Sequence, residues 1–201
     1  MMTAPADKDF LTIVSGLPRS GTSMMMRMLE TGGLPVMIDE IRTADDDNPN
    51  GYYEFEAVKQ TKEDPSWLES SAGKVVKMVY RLLYDLPEDR TYYVLFMARD
   101  LEEVLRSQRV MLERNGTGND GITDDQMRMM FQMEIDKFFK WIADRPCFKM
   151  IRVDYNALMQ DPAAELTKVN EFLGGGLDVE AMAATVDKSL YRNRKASASA
   201  T

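Results

Sequence analysis

Leu11-Thr12-Ile13-Val14-Ser15-Gly16-Leu17-Pro18-Arg19-Ser20-Gly21-Thr22-Ser23 is the stretch whose reading decides the fold. Leu11 to Val14 is a short apolar run flanked by polar residues, the pattern of a buried strand. Ser15 to Ser23 carries the Gly and Pro of a loop, Met24 to Thr31 is rich in helix formers, and Gly32-Gly33 is a stop. Strand, glycine-containing loop and helix in this order make a phosphate cradle. The first amides of a helix have no intrahelical partner, and the helix dipole adds partial positive charge where they point. Ser20, Thr22 and Ser23 add hydroxyls, and Arg19 adds a forked cation. Gly16 and Gly21 have the separation of the pattern G-x-x-x-x-G-K-[ST], and Ser23 fills its last slot. Position 22 is Thr where that pattern has Lys, so the cradle is built for a different anion.

Working outward, Val75–Val79, Tyr92–Met97 and Lys149–Val153 read as further strands, all continuous apolar runs. Between them the spacing predicts a short helix over 54–63, a helix after Asp100 with a capping box to Glu103, and a long helix over 123–144. Asp161-Pro162 opens a last long helix that stops at Gly174-Gly175-Gly176. Strands that alternate with helices and are apolar throughout predict a single-domain α/β three-layer sandwich of the P-loop type, with a central parallel sheet covered on both faces. The domain is expected over 1–194, with an Ala/Ser-rich disordered tail over 195–201.

Composition narrows the chemistry. The 201 residues are 44% hydrophobic and 29% charged, without an apolar run near the ~18 residues of a membrane span. No signal-peptide core opens the chain, so a cytoplasmic protein is expected, with no membrane partner. Cys147 is the sole cysteine and there is no histidine, which excludes an intramolecular disulfide, histidine zinc sites and any histidine base. A net charge of −8 excludes a global basic footprint for nucleic acid, so an anionic ligand must be held by a local cluster of donors. The Met-rich stretches, Met24 to Met28 and Met127 to Met133, read as core filler. Tyr52, Tyr53, Phe55, Trp67, Tyr80 and Tyr84 are read chiefly as packing residues that could also border an acceptor pocket, and Cys147 as inert.

Pro18-Arg19-Ser20-Gly21-Thr22-Ser23 resembles the 5′-phosphosulfate loop P-[KR]-S-G-T-[ST] of sulfotransferases, in the form found in bacterial relatives and in the tyrosylprotein group. Those enzymes move a sulfuryl group from 3′-phosphoadenosine 5′-phosphosulfate (PAPS) to a hydroxyl or amine, leaving PAP. A second motif matches: Arg99-Asp100 follows the third strand and Ser107 stands eight residues on, as in the family's 3′-phosphate site. A strand-end Arg and a Ser two helical turns further could both reach one phosphate. A third, softer match is Tyr155 to Leu158, Asp161-Pro162 and Phe172-Leu173-Gly174, read as structural elements that pack beside the nucleotide site. The resemblance runs from about residue 11 to 194.

The resemblance implies PAPS as co-substrate, a small-molecule acceptor and no metal. It places Arg19, Ser20, Gly21, Thr22 and Ser23 on the 5′-phosphosulfate, and Arg99 and Ser107 on the 3′-phosphate. Lys77, the match to the lysine of a family Lys-x-His, would stabilise charge on the bridging oxygen or the transferring group. The histidine slot holds Val79, so the base, if the reaction uses one, must be a carboxylate. Glu40 lies 21 residues after Arg19, the tyrosylprotein spacing; Glu54 ends an Asn-Pro-Asn-Gly-Tyr-Tyr-Glu segment typical of bacterial relatives; Asp39 is the third candidate. The C-terminal clamp of the cytosolic branch is missing, and Arg192 and Arg194 are the substitutes at hand. Two other readings stay open: a small-molecule kinase with a degenerate P-loop, and a catalytically silent nucleotide-binding protein.

Overall fold

The apolar runs become strands β1 (Leu11–Gly16), β2 (Val75–Lys77), β3 (Tyr92–Ala98) and β4 (Phe148–Asp154), hydrogen-bonded in the order β2-β1-β3-β4 with every pairing parallel. The structure is a computed structural model and describes residues 9–39, 51–114 and 121–187. In β1 the register sets Ile13 opposite Val76 on one side and Val94 on the other, and every residue of the strand is buried. A strand buried on both faces gains nothing from alternation, which is why its sequence reads as an unbroken apolar run.

Helices α1 (Thr22–Thr31), α2 (Leu101–Arg114), α3 (Asp124–Ala143), α4 (Tyr155–Gln160), α5 (Pro162–Phe172) and α6 (Val179–Ala184) cover the sheet. On one face Met25, Met26, Met28 and Leu29 of α1 pack with Val14, Leu95 and Val153 and with α4 to α6. On the other, Phe138 and Ile142 of α3 and Val104 of α2 pack on Ile13, Val94 and Phe96, closed at the side by Trp67 and Leu83. The expected three-layer α/β architecture is the one observed. No helix among the described residues is long and apolar enough to cross a membrane.

Local chemistry explains the departures from the sequence reading. α1 begins at Thr22, earlier than its apolar residues, because Gly21 in a left-handed conformation (φ 96°) serves as its N-cap. The segment expected as a helix over 54–63 is one 3₁₀ turn, Glu56–Gln60. α4 and α6, each six residues long, were not anticipated: both rest on an Asp cap, Asp154 and Asp178, whose carboxylates accept first-turn N–H groups. The two residues of the capping box expected at Asp100 also take other partners. Asp100 accepts the Glu102 N–H at 2.8 Å, its own N–H goes to Asn156 Oδ1 at 3.3 Å, and Glu103 turns to Arg99. A capping box with both halves present is that of Thr123 with Gln126, at the start of α3. The methionines divide: those of α1 are core, whereas Met129, Met130 and Met133 on α3 are 65%, 52% and 69% exposed and fill nothing. Burial pushes the Cys147 thiol above its usual range, which agrees with an inert cysteine.

Phe138 is fully buried and makes ring contacts with Tyr80, Tyr84, Phe96, Phe139 and Trp141. Phe138→Ala is expected to cost about 3–5 kcal/mol, read as a fall in melting temperature of ~6–20 °C. A loss below ~1 kcal/mol in a denaturant titration would show that α3 is not docked on this face.

Candidate active site

The chain leaves β1 toward β2 and leaves β3 toward β4, so strand order reverses between β1 and β3. Loops that diverge from neighbouring strands open a crevice at the carboxyl ends, where ligands bind in open α/β sheets. Residues 16–21 form one wall of that crevice, and Arg99 with the start of α2 forms the other.

The loop is held by four backbone constraints. Gly16 (φ 152°) lies so close to the β3 edge that a Cβ there would stand 2.5 Å from Ser20 Oγ and 2.9 Å from the Met97 carbonyl oxygen. Ser20 N–H closes a turn onto the Leu17 carbonyl at 3.2 Å. Arg19 adopts a left-handed backbone (φ 69°), uncommon for a residue with a Cβ. A Cβ on Gly21 would meet the Tyr155 ring at 2.5 Å. The ladder of α1 starts with Met25 N–H on the Gly21 carbonyl, and the first turn carries no acidic residue and no side-chain cap. Ser20 is 1% exposed, and its hydroxyl has no hydrogen-bond partner among the described residues. A buried orphan hydroxyl beside helix N-terminal amides fits an oxyanion.

Behind the loop, the Arg99 guanidinium donates from Nε to Glu103 Oε2 at 3.0 Å and from Nη1 to the Arg19 carbonyl at 3.1 Å. Its Cζ lies over the Tyr155 ring, 4.3 Å from the centroid. The Arg19 side chain donates from Nε to Ser107 Oγ at 3.0 Å. Glu103 and Ser107 are four apart on α2 and so share one face of it. The structure thus brings Arg19, Ser20, Gly21, Arg99 and Ser107 together. A cavity of about 140 Å³ lined by Leu17, Ser20, Phe96, Arg99, Phe139 and Arg152 opens beside them.

A second cluster stands at the end of β2. Lys77 Nζ donates to the Tyr52 carbonyl and lies 3.6 Å from Glu54 Oε1. Ser23 Oγ donates to the same carbonyl at 3.1 Å, which ties the start of α1 to this lysine. Asp39 N–H bonds the Glu54 carbonyl at 2.9 Å, and Asp39 Oδ2 accepts the Glu56 N–H at 2.5 Å. Tyr53, also left-handed (φ 51°), donates its hydroxyl to Glu30 Oε2 at 2.7 Å and braces the segment on α1. Burial and the Glu30 carboxylate both push its phenol up, keeping it protonated. Asp39, Glu54 and Lys77 are therefore one cluster, next to Ser23. Glu40, Arg192 and Arg194 lie outside the described residues.

Sequence reasoning missed three contributors: Glu103, read as a capping residue; Tyr155, read as packing; and the Tyr52 carbonyl, which no side-chain motif can signal. For Glu103 a signal existed, since an acid four residues after a strand-end Arg is an i, i+4 ion pair.

Residues 9–201 match the family model of the sulfotransferase domain. The chain belongs to the sulfotransferase family. Among solved structures this sulfotransferase is similar in fold to a sulfotransferase of Mycobacterium avium, with 13% identity and a TM-score of 0.54 over 94% of this chain and 69% of that one. The sulfotransferase domain of the Synechococcus PCC 7002 olefin synthase is similar at 14% identity and TM-score 0.53, over 96% and 83% of the two chains. That of the curacin biosynthetic pathway matches at 15% identity and TM-score 0.53, over 93% and 92%. A comparison with curated protein sequences found no significant match.

The sulfotransferase loop yields a differential test. Gly33 and Gly16 both have positive φ, but a Cβ on Gly33 meets nothing within 4 Å whereas one on Gly16 meets backbone and a buried hydroxyl. Gly33→Ala is expected to cost about 1–2 kcal/mol from the left-handed backbone alone. Gly16→Ala should cost clearly more in the same chemical denaturation, and equal losses would show that the loop can move away from β3.

Proposed function

We propose that this sulfotransferase takes PAPS as donor and passes the sulfuryl group to a hydroxyl or amine of a small-molecule acceptor. The observation that carries the reading is the Arg19–Ser107 hydrogen bond. It joins two motifs 88 residues apart, each matching a different phosphate site of the family, across a single crevice. The donor's 5′-phosphosulfate would be held by Arg19, the amides of Gly21 to Ser23 and the orphan hydroxyl of Ser20, whose own N–H is taken up by the Leu17 carbonyl. Its 3′-phosphate would be held by Arg99 and Ser107. The bound donor supplies the sulfuryl group and a leaving phosphate.

The chain's own part is to place charge and to accept a proton. Lys77 at the end of β2 offers a cation where negative charge grows on the oxygen that leaves sulfur. Glu54, 3.6 Å from that cation, is the base best placed among the described residues to take the proton of the attacking hydroxyl. Asp39 has its carboxylate on the Glu56 amide and reads as a positioning residue. Glu40, by spacing alone, is the rival for the base, and Arg192 and Arg194 remain candidates for the far side of the 3′-phosphate.

Ligand choice tests the donor. PAP should stabilise the protein well above ADP or 5′-AMP, without Mg²⁺. An equal shift from ADP with Mg²⁺ would favour a kinase, the reading that Thr22 in place of lysine argues against. Arg19→Ala and Ser107→Ala should each fold, and Arg19→Ala should weaken PAP by ~10- to 150-fold, the worth of one or two charge-assisted hydrogen bonds.

The base is tested with three variants, Glu54→Gln, Glu40→Gln and Asp39→Asn, assayed on an acceptor found by library screening. Loss of proton acceptance should lower turnover by ~10²–10⁴ in one of them with PAP affinity intact. Glu54→Gln is expected to be that variant. Near-normal turnover in all three would remove carboxylate catalysis from this loop.

A further inference from the structure

We infer that Glu103 is a positioning residue for the donor loop: it holds Arg99 so that Arg99 in turn fixes the left-handed backbone at Arg19. The inference rests on the reading that residues 16–23 receive the donor's phosphosulfate. Three observations carry it. Glu103 is 1% exposed and Arg99 8%, so their 3.0 Å pair is withdrawn from solvent and cannot be a loose surface contact. The same guanidinium that Glu103 grips at Nε delivers Nη1 to the Arg19 carbonyl, the carbonyl of the one non-glycine residue in the loop with positive φ. And the Tyr155 ring fills both remaining sides, with the guanidinium on its face and Gly21 against its edge.

A left-handed non-glycine residue persists only where its surroundings over-determine it. Here those surroundings converge from α2. Glu103 sets the Arg99 fork, which caps the Arg19 carbonyl, while Ser107, one turn on, takes the Arg19 side chain at Nε. Backbone and side chain of Arg19 are thus held by two residues on one helical face. Rotation of Arg99 away from the carbonyl would release the peptide between Arg19 and Ser20, whose N–H closes the loop's turn onto the Leu17 carbonyl. Glu103 therefore acts on the donor through geometry and touches no part of it.

The alternative is that Glu103 merely competes with the donor for the charge of Arg99, and the two ideas differ in sign. Glu103→Gln keeps the shape and one acceptor but loses the charge that orients the guanidinium. On the positioning account, hydrogen exchange of the amides in residues 17–22 of the ligand-free protein rises by ~10-fold or more, while β3 and α5 keep their protection. PAP affinity falls by a similar ~10-fold, the worth of one charge-assisted contact. Unchanged loop exchange, or tighter PAP binding, overturns the inference. So does a lower melting temperature with exchange in 17–22 no faster than elsewhere, which is the signature of a plain core ion pair. If Glu103→Gln does not fold, Arg99→Lys preserves the buried charge pair but cannot reach Glu103 and the Arg19 carbonyl together. It should raise the same loop exchange, and normal exchange in that variant overturns the inference as well. Because exchange is read without ligand, a wild-type protein that fails to bind PAP would count against the donor reading and leave the exchange result to decide on Glu103.

Discussion

The carbonyl of Arg19, turned inward by a left-handed backbone and met there by Arg99, is the constraint on which the upper edge of this molecule depends. Amides converge on a point only if the chain that carries them curls through conformations side chains dislike. Glycine absorbs that at position 21 without strain, but position 19 must also carry the cation, so its backbone is strained by about 1–2 kcal/mol. The guanidinium from β3 offsets the strain. A guanidinium taken out of water needs a counter-charge, and α2 supplies it as Glu103. Strand, loop and helix are thus linked by one chain of contacts.

The same logic governs charge. A protein of net charge −8 is unfavourable ground for an anion at long range, so attraction must come from within a few ångströms. Two cations at the crevice carry a carboxylate of their own, Arg99 with Glu103 and Lys77 with Glu54. Arg19 gives its Nε–H to the Ser107 hydroxyl. Within the crevice, the charges of Arg99 and Lys77 are each met by a carboxylate at close range.

Much of this was legible in the sequence because it is local. The run Leu11–Val14, the glycines at 16 and 21 and the helix after them are fixed by neighbours in the chain, and the loop followed from their spacing alone. Parallel order followed from strands without alternation. What could not be read is what depends on distant packing. Asp100-Leu101-Glu102-Glu103 satisfies a capping box on paper, but Arg99, folded beneath the loop by the Arg19 carbonyl, also takes the acid. α4 and α6 are too short to show periodicity. The methionines of α3 have the composition of those of α1, and only the sheet decides which set is covered.

The acidic segment beside Lys77 shows how packing separates carboxylates that composition leaves equivalent. Asp39 and Glu54 belong to chain segments cross-linked twice, by Asp39 N–H on the Glu54 carbonyl and by Glu56 N–H on the Asp39 carboxylate. The second bond occupies the Asp39 side chain with a backbone donor, so that carboxylate is a scaffold element. The first bond uses only the backbone of Glu54 and leaves its side chain to extend toward Lys77. Proton acceptance in a transfer reaction asks for a carboxylate whose removal from other duties does not dismantle the site. Asp39 fixes the backbone of Glu54, whose carboxylate lies 3.6 Å from Lys77 Nζ: one acid serves as the frame for the other.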